Sequence, residues 1–126
     1  MYKISVITPV YNAESSLKNA IDSIINQTIG FENIEFILVD DKSTDSSRSI
    51  ILEYVDKYDN IKAIFLDENT GSPSGPRNIG IENVTAPYFM FLDNDDSYSK
   101  NYCEVMHKKI SSNEHFENCK KSLLFL

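Results

Sequence analysis

Four continuous apolar runs, each followed by a polar cluster and then by a segment of helical spacing, constrain this chain more than any other feature. The runs are ISVITPV (Ile4 to Val10), IEFILV (Ile34 to Val39), KAIFL (Lys62 to Leu66) and YFMFL (Tyr88 to Leu92). They are rich in β-branched and aromatic residues and do not alternate apolar with polar, as expected for strands buried on both faces. Between them, Leu17, Ala20, Ile21 and Ile24 fall at i, i+3, i+4 and i+7, and Ile51, Tyr54, Val55 and Tyr58 repeat that stripe. Asn12 can cap the first helix and Gly30 can end it. A Gly/Pro loop, DENTGSPSGPRNIG, precedes a short helix expected over Ile79 to Val84, and Tyr102, Met106 and Ile110 mark a last amphipathic helix. The order β-α-β-α-β-α-β-α implies an α/β fold: a Rossmann-like, mainly parallel sheet with helices on both faces.

In such a sheet ligands bind at the carboxyl ends of the strands. The polar residues gather there: Thr8 to Asn12, Asp40 to Ser43, Asp67 to Asn69 and Asp93 to Asp96. Asp93, Asp95 and Asp96 stand within one short turn, where like charges raise one another's pKa unless a cation neutralises them. Hard oxygen ligands suit Mg²⁺ or Mn²⁺, which keep one or two protein carboxylates and fill their shells with water and substrate phosphate. Asp96, or Ser97 beside it, serves equally well as the cap of the next helix. An EF-hand loop starting at Asp93 fails at its sixth position, where Tyr98 stands in place of glycine. Asp41 is a candidate acceptor for a ring N–H or a ribose hydroxyl, although an Asx-turn would use it as well. Arg77, the one cation of the Gly/Pro loop, can grip a phosphate with two N–H groups; a surface ion pair is the plainer alternative.

Other classes fall away. A G-x-G-x-x-G is missing after the first strand, where PVYNAES stands, and no Gly-Lys-Ser/Thr occurs, so neither a dinucleotide site nor a P-loop is expected. A nucleotidyltransferase shares the sheet and the acidic site but wants a basic Gly-rich loop at that same place. The formal net charge of −7 argues against nucleic acid or an anionic membrane surface as partner, and an anionic ligand then needs a bridging cation. Cys103 and Cys119 match no zinc spacing and read as reduced thiols of a cytoplasmic protein. The first apolar run is broken by Thr8, Pro9 and Asn12, so a strand is expected there and not a signal peptide, and no run is long enough to span a bilayer.

Taken together, SVITPVYNAESSL, FILVDDKSTDSS, NTGSPSGPRNIGI and YFMFLDNDDSY resemble the successive signatures of family 2 glycosyltransferases of GT-A fold, with the likeness running from about residue 4 to 102. SGPRN resembles members that decorate bacterial surface polymers such as teichoic acids. The resemblance implies a metal-dependent enzyme that moves a sugar, with inversion, from a nucleoside-diphosphate donor, a UDP-sugar, to a glycan or surface-polymer acceptor. It implies that Thr8, Pro9 and Tyr11 wall the base and that Asp41 accepts from uracil N3–H. It also implies that Arg77 binds the diphosphate, that Asp93 reaches ribose or metal, and that Asp95 is the chief ligand of Mn²⁺ or Mg²⁺. Work at the inner face of the membrane would follow through partners. In the family the acceptor site and catalytic base lie beyond the D-x-D motif. Neither Glu104 nor Glu117 matches that base, so the catalytic residue is unknown, and a truncated, non-catalytic nucleotide-sugar-binding remnant is the alternative. Residues 1–126 are expected to form a partial GT-A domain. SLLFL (Ser122 to Leu126) reads as a further strand, either at an edge or opening a longer domain, and self-association is expected through the exposed sheet edge.

Overall fold

The computed structural model describes residues 1–112. Its elements are β1 (Ile4–Val10), α1 (Leu17–Ile25), a 3₁₀ turn (Phe31–Asn33), β2 (Ile34–Asp40), α2 (Ser47–Lys57), β3 (Ile61–Phe65), α3 (Ser74–Glu82), β4 (Phe89–Phe91) and α4 (Tyr102–Ser111). The expected strand SLLFL, together with Glu117 and Cys119, lies outside the described residues. All four strands are parallel and stand in the order β3-β2-β1-β4. β1 and β2 pair along their whole lengths, from Ile4 opposite Ile34 to Val10 opposite Asp40, and every residue in both is buried. That burial on both faces is why their apolar runs are continuous.

Two apolar layers cover the sheet. On one face Ile4, Val6 and Val10 pack with Leu17, Ala20, Ile21 and Ile24 of α1, Ile51 and Tyr54 of α2, and Cys103 and Ile110 of α4. On the other, Ile7, Ile37, Val39 and Phe89 pack with Ile79 and Ile81 of α3 and with Val84 after it. The stripe read for the first helix is the buried face of α1; of the second, Ile51 and Tyr54 are buried in α2, Val55 is half-buried, and Tyr58 stands just past the end of the helix. α3 lies so close to β1 that a Cβ on Gly80 would stand 2.4 Å from Ile7 Cγ2, so only glycine permits this approach.

Local signals were partly redirected by packing. α3 begins at Ser74, inside the Gly/Pro loop, and ends at Glu82. Pro76 is tolerated there because N–H groups of a first helical turn have no intrahelical partner. β3 runs one residue earlier than expected at both ends. Asn12 does not cap α1, whose N-cap is Ser16. With φ 46°, Asn12 instead turns its Oδ1 to the N–H groups of Thr44 (2.8 Å) and Asp45 (3.3 Å). Gly30, at φ 95°, opens the 3₁₀ turn and does not close α1, which stops at Ile25. α4 is capped at Asn101, so neither Asp96 nor Ser97 caps it.

Candidate nucleotide and metal site

Because β2 and β3 lie to one side of β1 and β4 to the other, the chain reverses direction across the sheet between β1 and β4. A doubly wound sheet opens a crevice at that point. A cleft of about 400 Å³ lies there. Pro9, Val10 and Tyr11 line it from the end of β1, Asp41 from β2, and Asp93, Asn94 and Asp95 from β4. The loop from Asn69 to Arg77 closes the remaining side with Gly71, Ser72, Pro73 and Pro76. Of the expected residues, Pro9, Tyr11, Asp41, Arg77, Asp93 and Asp95 therefore meet in one cleft. Thr8 does not line it. It is fully buried within β1, and its hydroxyl has no hydrogen-bond partner among the described residues. Strand alternation puts Thr8 on the same face as Val10, but two residues deeper in β1, so that Val10 reaches the cleft and Thr8 does not.

Two loops are pinned beneath the cleft. Asp40, fully buried, accepts from Arg48 Nε (2.6 Å), Ser43 N (2.9 Å) and Ser43 Oγ (2.6 Å), and Arg48 also donates to the Leu66 carbonyl (2.7 Å). The Ser47 hydroxyl accepts from Ala13 N at 2.8 Å, which ties the β1 and β2 loops together. Asp40 is thus consumed in structure, whereas the neighbouring Asp41, only 4% exposed, faces the cleft. Its two oxygens accept from Thr70 N (2.8 Å) and Thr70 Oγ1 (2.9 Å). A carboxylate offers about four acceptor positions, so about two remain for a ligand donor.

Arg77 Nη2 donates to Asp93 Oδ1 at 2.9 Å, and its guanidinium lies 5.4 Å from the centre of the Phe91 ring. Both partners of this pair are substantially exposed, 37% and 51% by side chain. Such a pair contributes little to stability and is cheaply rearranged when a ligand arrives. Arg77 Nε is buried without a hydrogen-bond partner among the described residues. The backbone between the aspartates is fastened: Asn94 Nδ2 donates to the Pro9 carbonyl (3.1 Å), and the Asn94 carbonyl accepts from Ser16 Oγ (2.9 Å). Carboxylate oxygens of Asp93, Asp95 and Asp96 come within 4.8 Å of one another, all of them exposed. This hard, all-oxygen set, open to solvent on one side, fits Mg²⁺ or Mn²⁺ with several ligand positions left for water and phosphate. Sequence reasoning missed Thr70, Asn69 and Asn94. Each is a small polar residue in a turn, a type too common for its local pattern to stand out.

A parallel β3-β2-β1-β4 sheet with an acid-rimmed cleft over its switch point has the Rossmann-like architecture of the GT-A fold. Over residues 5–116 the chain matches glycosyl transferase family 2, and it belongs to that family. It is 46% identical over 94 residues to a poly(ribitol-phosphate) beta-glucosyltransferase of Bacillus spizizenii, covering 75% of this chain and 15% of that protein. It is 48% identical over 99 residues to the minor teichoic acid biosynthesis protein GgaB of Bacillus subtilis, covering 79% of this chain and 11% of the relative. The crystal structure of Staphylococcus aureus TarS 1-349 in complex with UDP-GlcNAc superimposes with a TM-score of 0.81 at 32% identity, over 87% of this chain and 31% of that one. The chain thus spans a small part of each of these relatives.

Proposed function

We propose that this chain is the donor-binding part of an inverting glycosyltransferase that takes a sugar from a UDP-sugar and serves the glycosylation of a cell-surface polymer. The observation that carries this reading is the meeting of Asp41, Arg77, Asp93 and Asp95 in one cleft at the switch point. In it, the ring of Tyr11, half exposed at the mouth, and Pro9 flank the base. The free acceptor positions of Asp41 take the N–H of its pairing edge. The Arg77 guanidinium leaves Asp93 to hold diphosphate oxygens in two-pronged fashion. Asp95 and Asp93 hold a divalent ion, which when bound offsets the charge gathering on the departing diphosphate. The likeness to a structure solved with UDP-GlcNAc and to enzymes of poly(ribitol-phosphate) glucosylation supports the donor and acceptor classes. The three lining carboxylates all serve the donor in this scheme, so the base that deprotonates the acceptor is not assigned among the described residues.

Calorimetric titration of UDP in the presence of Mn²⁺ tests the reading. Heat that appears only with metal, and disappears in Asp95→Ala, is expected. Absence of heat with metal, or equal heat in the variant, removes the basis for the proposal.

A further inference from the structure

We propose that Thr70 is a positioning residue for the Asp41 carboxylate, that Gly75 leaves the room it needs, and that the pair thereby sets the preference of the cleft for a base with an N–H on its pairing edge. This rests on the nucleotide reading given above.

Asp41 is nearly buried and is in no ion pair among the described residues. The orientation of its carboxylate is decided by neutral donors, and both that reach it come from Thr70. The Thr70 N–H takes Oδ1 at 2.8 Å and the Thr70 hydroxyl takes Oδ2 at 2.9 Å. One residue thus grips both oxygens and prevents the group from turning about its Cβ–Cγ bond. The hydroxyl has a second acceptor in reach, the Ser72 carbonyl at 3.0 Å, but its single proton goes to the charged oxygen, the stronger acceptor. The backbone around this grip is itself closed: Asn69 Nδ2 donates to the Asp41 carbonyl (2.8 Å), and Gly71 N donates to Asn69 Oδ1 (2.8 Å).

Thr70 is not among the residues that line the cleft, and its hydroxyl reaches the lining at Asp41 and at the Ser72 carbonyl; of the two, Asp41 is the group that meets the pairing edge of the base. The place of Thr70 depends in turn on α3. A Cβ built on Gly75 would stand 2.8 Å from Thr70 Cβ, 2.8 Å from Oγ1 and 2.9 Å from Cγ2. A branched side chain met at its own Cβ cannot evade that clash by turning its tip, so the residue as a whole must move off Asp41. Gly75 sits in the first turn of α3, where alanine is the better helix former by up to about 1 kcal/mol. Steric displacement of Thr70 and helix propensity therefore act in opposite directions on the stability of Gly75→Ala, whereas the grip on Asp41 answers to the displacement alone.

The test uses the full chain with Mn²⁺ and compares UDP with CDP. Uracil carries an N–H at N3 where cytosine carries an acceptor, so the ratio of the two affinities reports the aim of the carboxylate. Loss of a hydrogen bond to a charged group is expected to weaken UDP binding roughly tenfold in Thr70→Val and to bring the UDP-to-CDP ratio toward unity. Thr70→Ser restores both. Gly75→Ala shows the same loss of preference, and its thermal melt stays cooperative. Unchanged UDP affinity and ratio in Thr70→Val overturn the proposal while leaving the nucleotide reading intact. If the parent chain does not bind UDP at all, it is the nucleotide reading that fails, and this proposal falls with it.

Discussion

At the end of the sheet away from the cleft, Glu35 is a buried carboxylate whose removal has a calculable consequence. It is fully buried on β2, where it accepts from Ser5 Oγ (2.6 Å), Thr85 N (2.8 Å), Thr85 Oγ1 (2.7 Å) and Lys62 Nζ. Those donors join β1, β3 and the turn before β4 to β2. Burial pushes the Glu35 carboxyl up, but the bonds from Lys62, Ser5 and Thr85 outweigh it and hold the group down from 4.5 to about 2. A depressed folded-state pKa contributes stability that is fully present above the unfolded value and is lost as pH falls through the folded one. The window is therefore about pH 4.5 down to about 2. At 1.36 kcal/mol per unit this amounts to ~3 kcal/mol, the same size as the cost of removing one partner from a buried charged network. In Glu35→Gln the amide nitrogen finds an acceptor only in a hydroxyl, that of Ser5 or Thr85, and in either orientation it confronts a donor that cannot accept, the Thr85 N–H or the Lys62 ammonium. The expected loss is ~3 kcal/mol at neutral pH, read by urea denaturation as a lower midpoint with an unchanged slope. The acid limb of stability should also flatten below pH 4.5, because the titrating group is gone. A loss under ~1 kcal/mol, or an acid limb identical to that of the parent, would refute the reasoning. UDP binding, at the other end of the strands, should not change.

Further outcomes follow from the packing and the cleft. Gly80→Ala forces a methyl to within 2.4 Å of Ile7 Cγ2, and the overpacking is expected to destabilise by ~1–3 kcal/mol in thermal melts despite the better helix propensity. Thr8→Val removes a fully buried hydroxyl that has no partner among the described residues and keeps the shape, so stability should rise by ~1 kcal/mol and UDP affinity should stay the same. Arg77→Lys keeps the charge but gives up the planar fork, so UDP affinity measured by calorimetry should fall roughly tenfold.

Much of the fold is legible without coordinates because periodicity is local. The all-apolar runs around Val6 and Ile37 and the stripes at Leu17 and Ile51 each report burial from about ten neighbouring residues. Errors arose where a residue's role is settled by a distant partner. Asn12 and Gly30 carry cap and stop chemistry, yet the partner of Asn12 is the loop at Thr44, and α1 stops before Gly30 is reached. The Gly/Pro loop concealed the start of α3, because proline and glycine break helices in their interior but not in their first turn. Thr8 belongs to the strand that ends at the cleft but sits two residues short of Val10, which reaches it on the same face, and how deep a strand lies below the mouth is set by its pairing with its neighbours.

The sequence by itself determined that β1 and β2 are doubly buried, that helices separate the strands and that carboxylates collect where they end, since each follows from short-range order along the chain. The same apolar pattern in β3 misleads, because that strand lies at the sheet edge with Lys62 exposed. Only the tertiary structure decided that β4 lies beside β1 and not beside β3, which brings Asp93 and Asp95 across the same cleft as Asp41 and Arg77. It alone decided that Thr70 grips Asp41 and that Gly75 makes space for it. The reason is physical: the packing of whole layers selects the strand order, and hydrogen bonds between residues remote in sequence exist only once that order has been chosen.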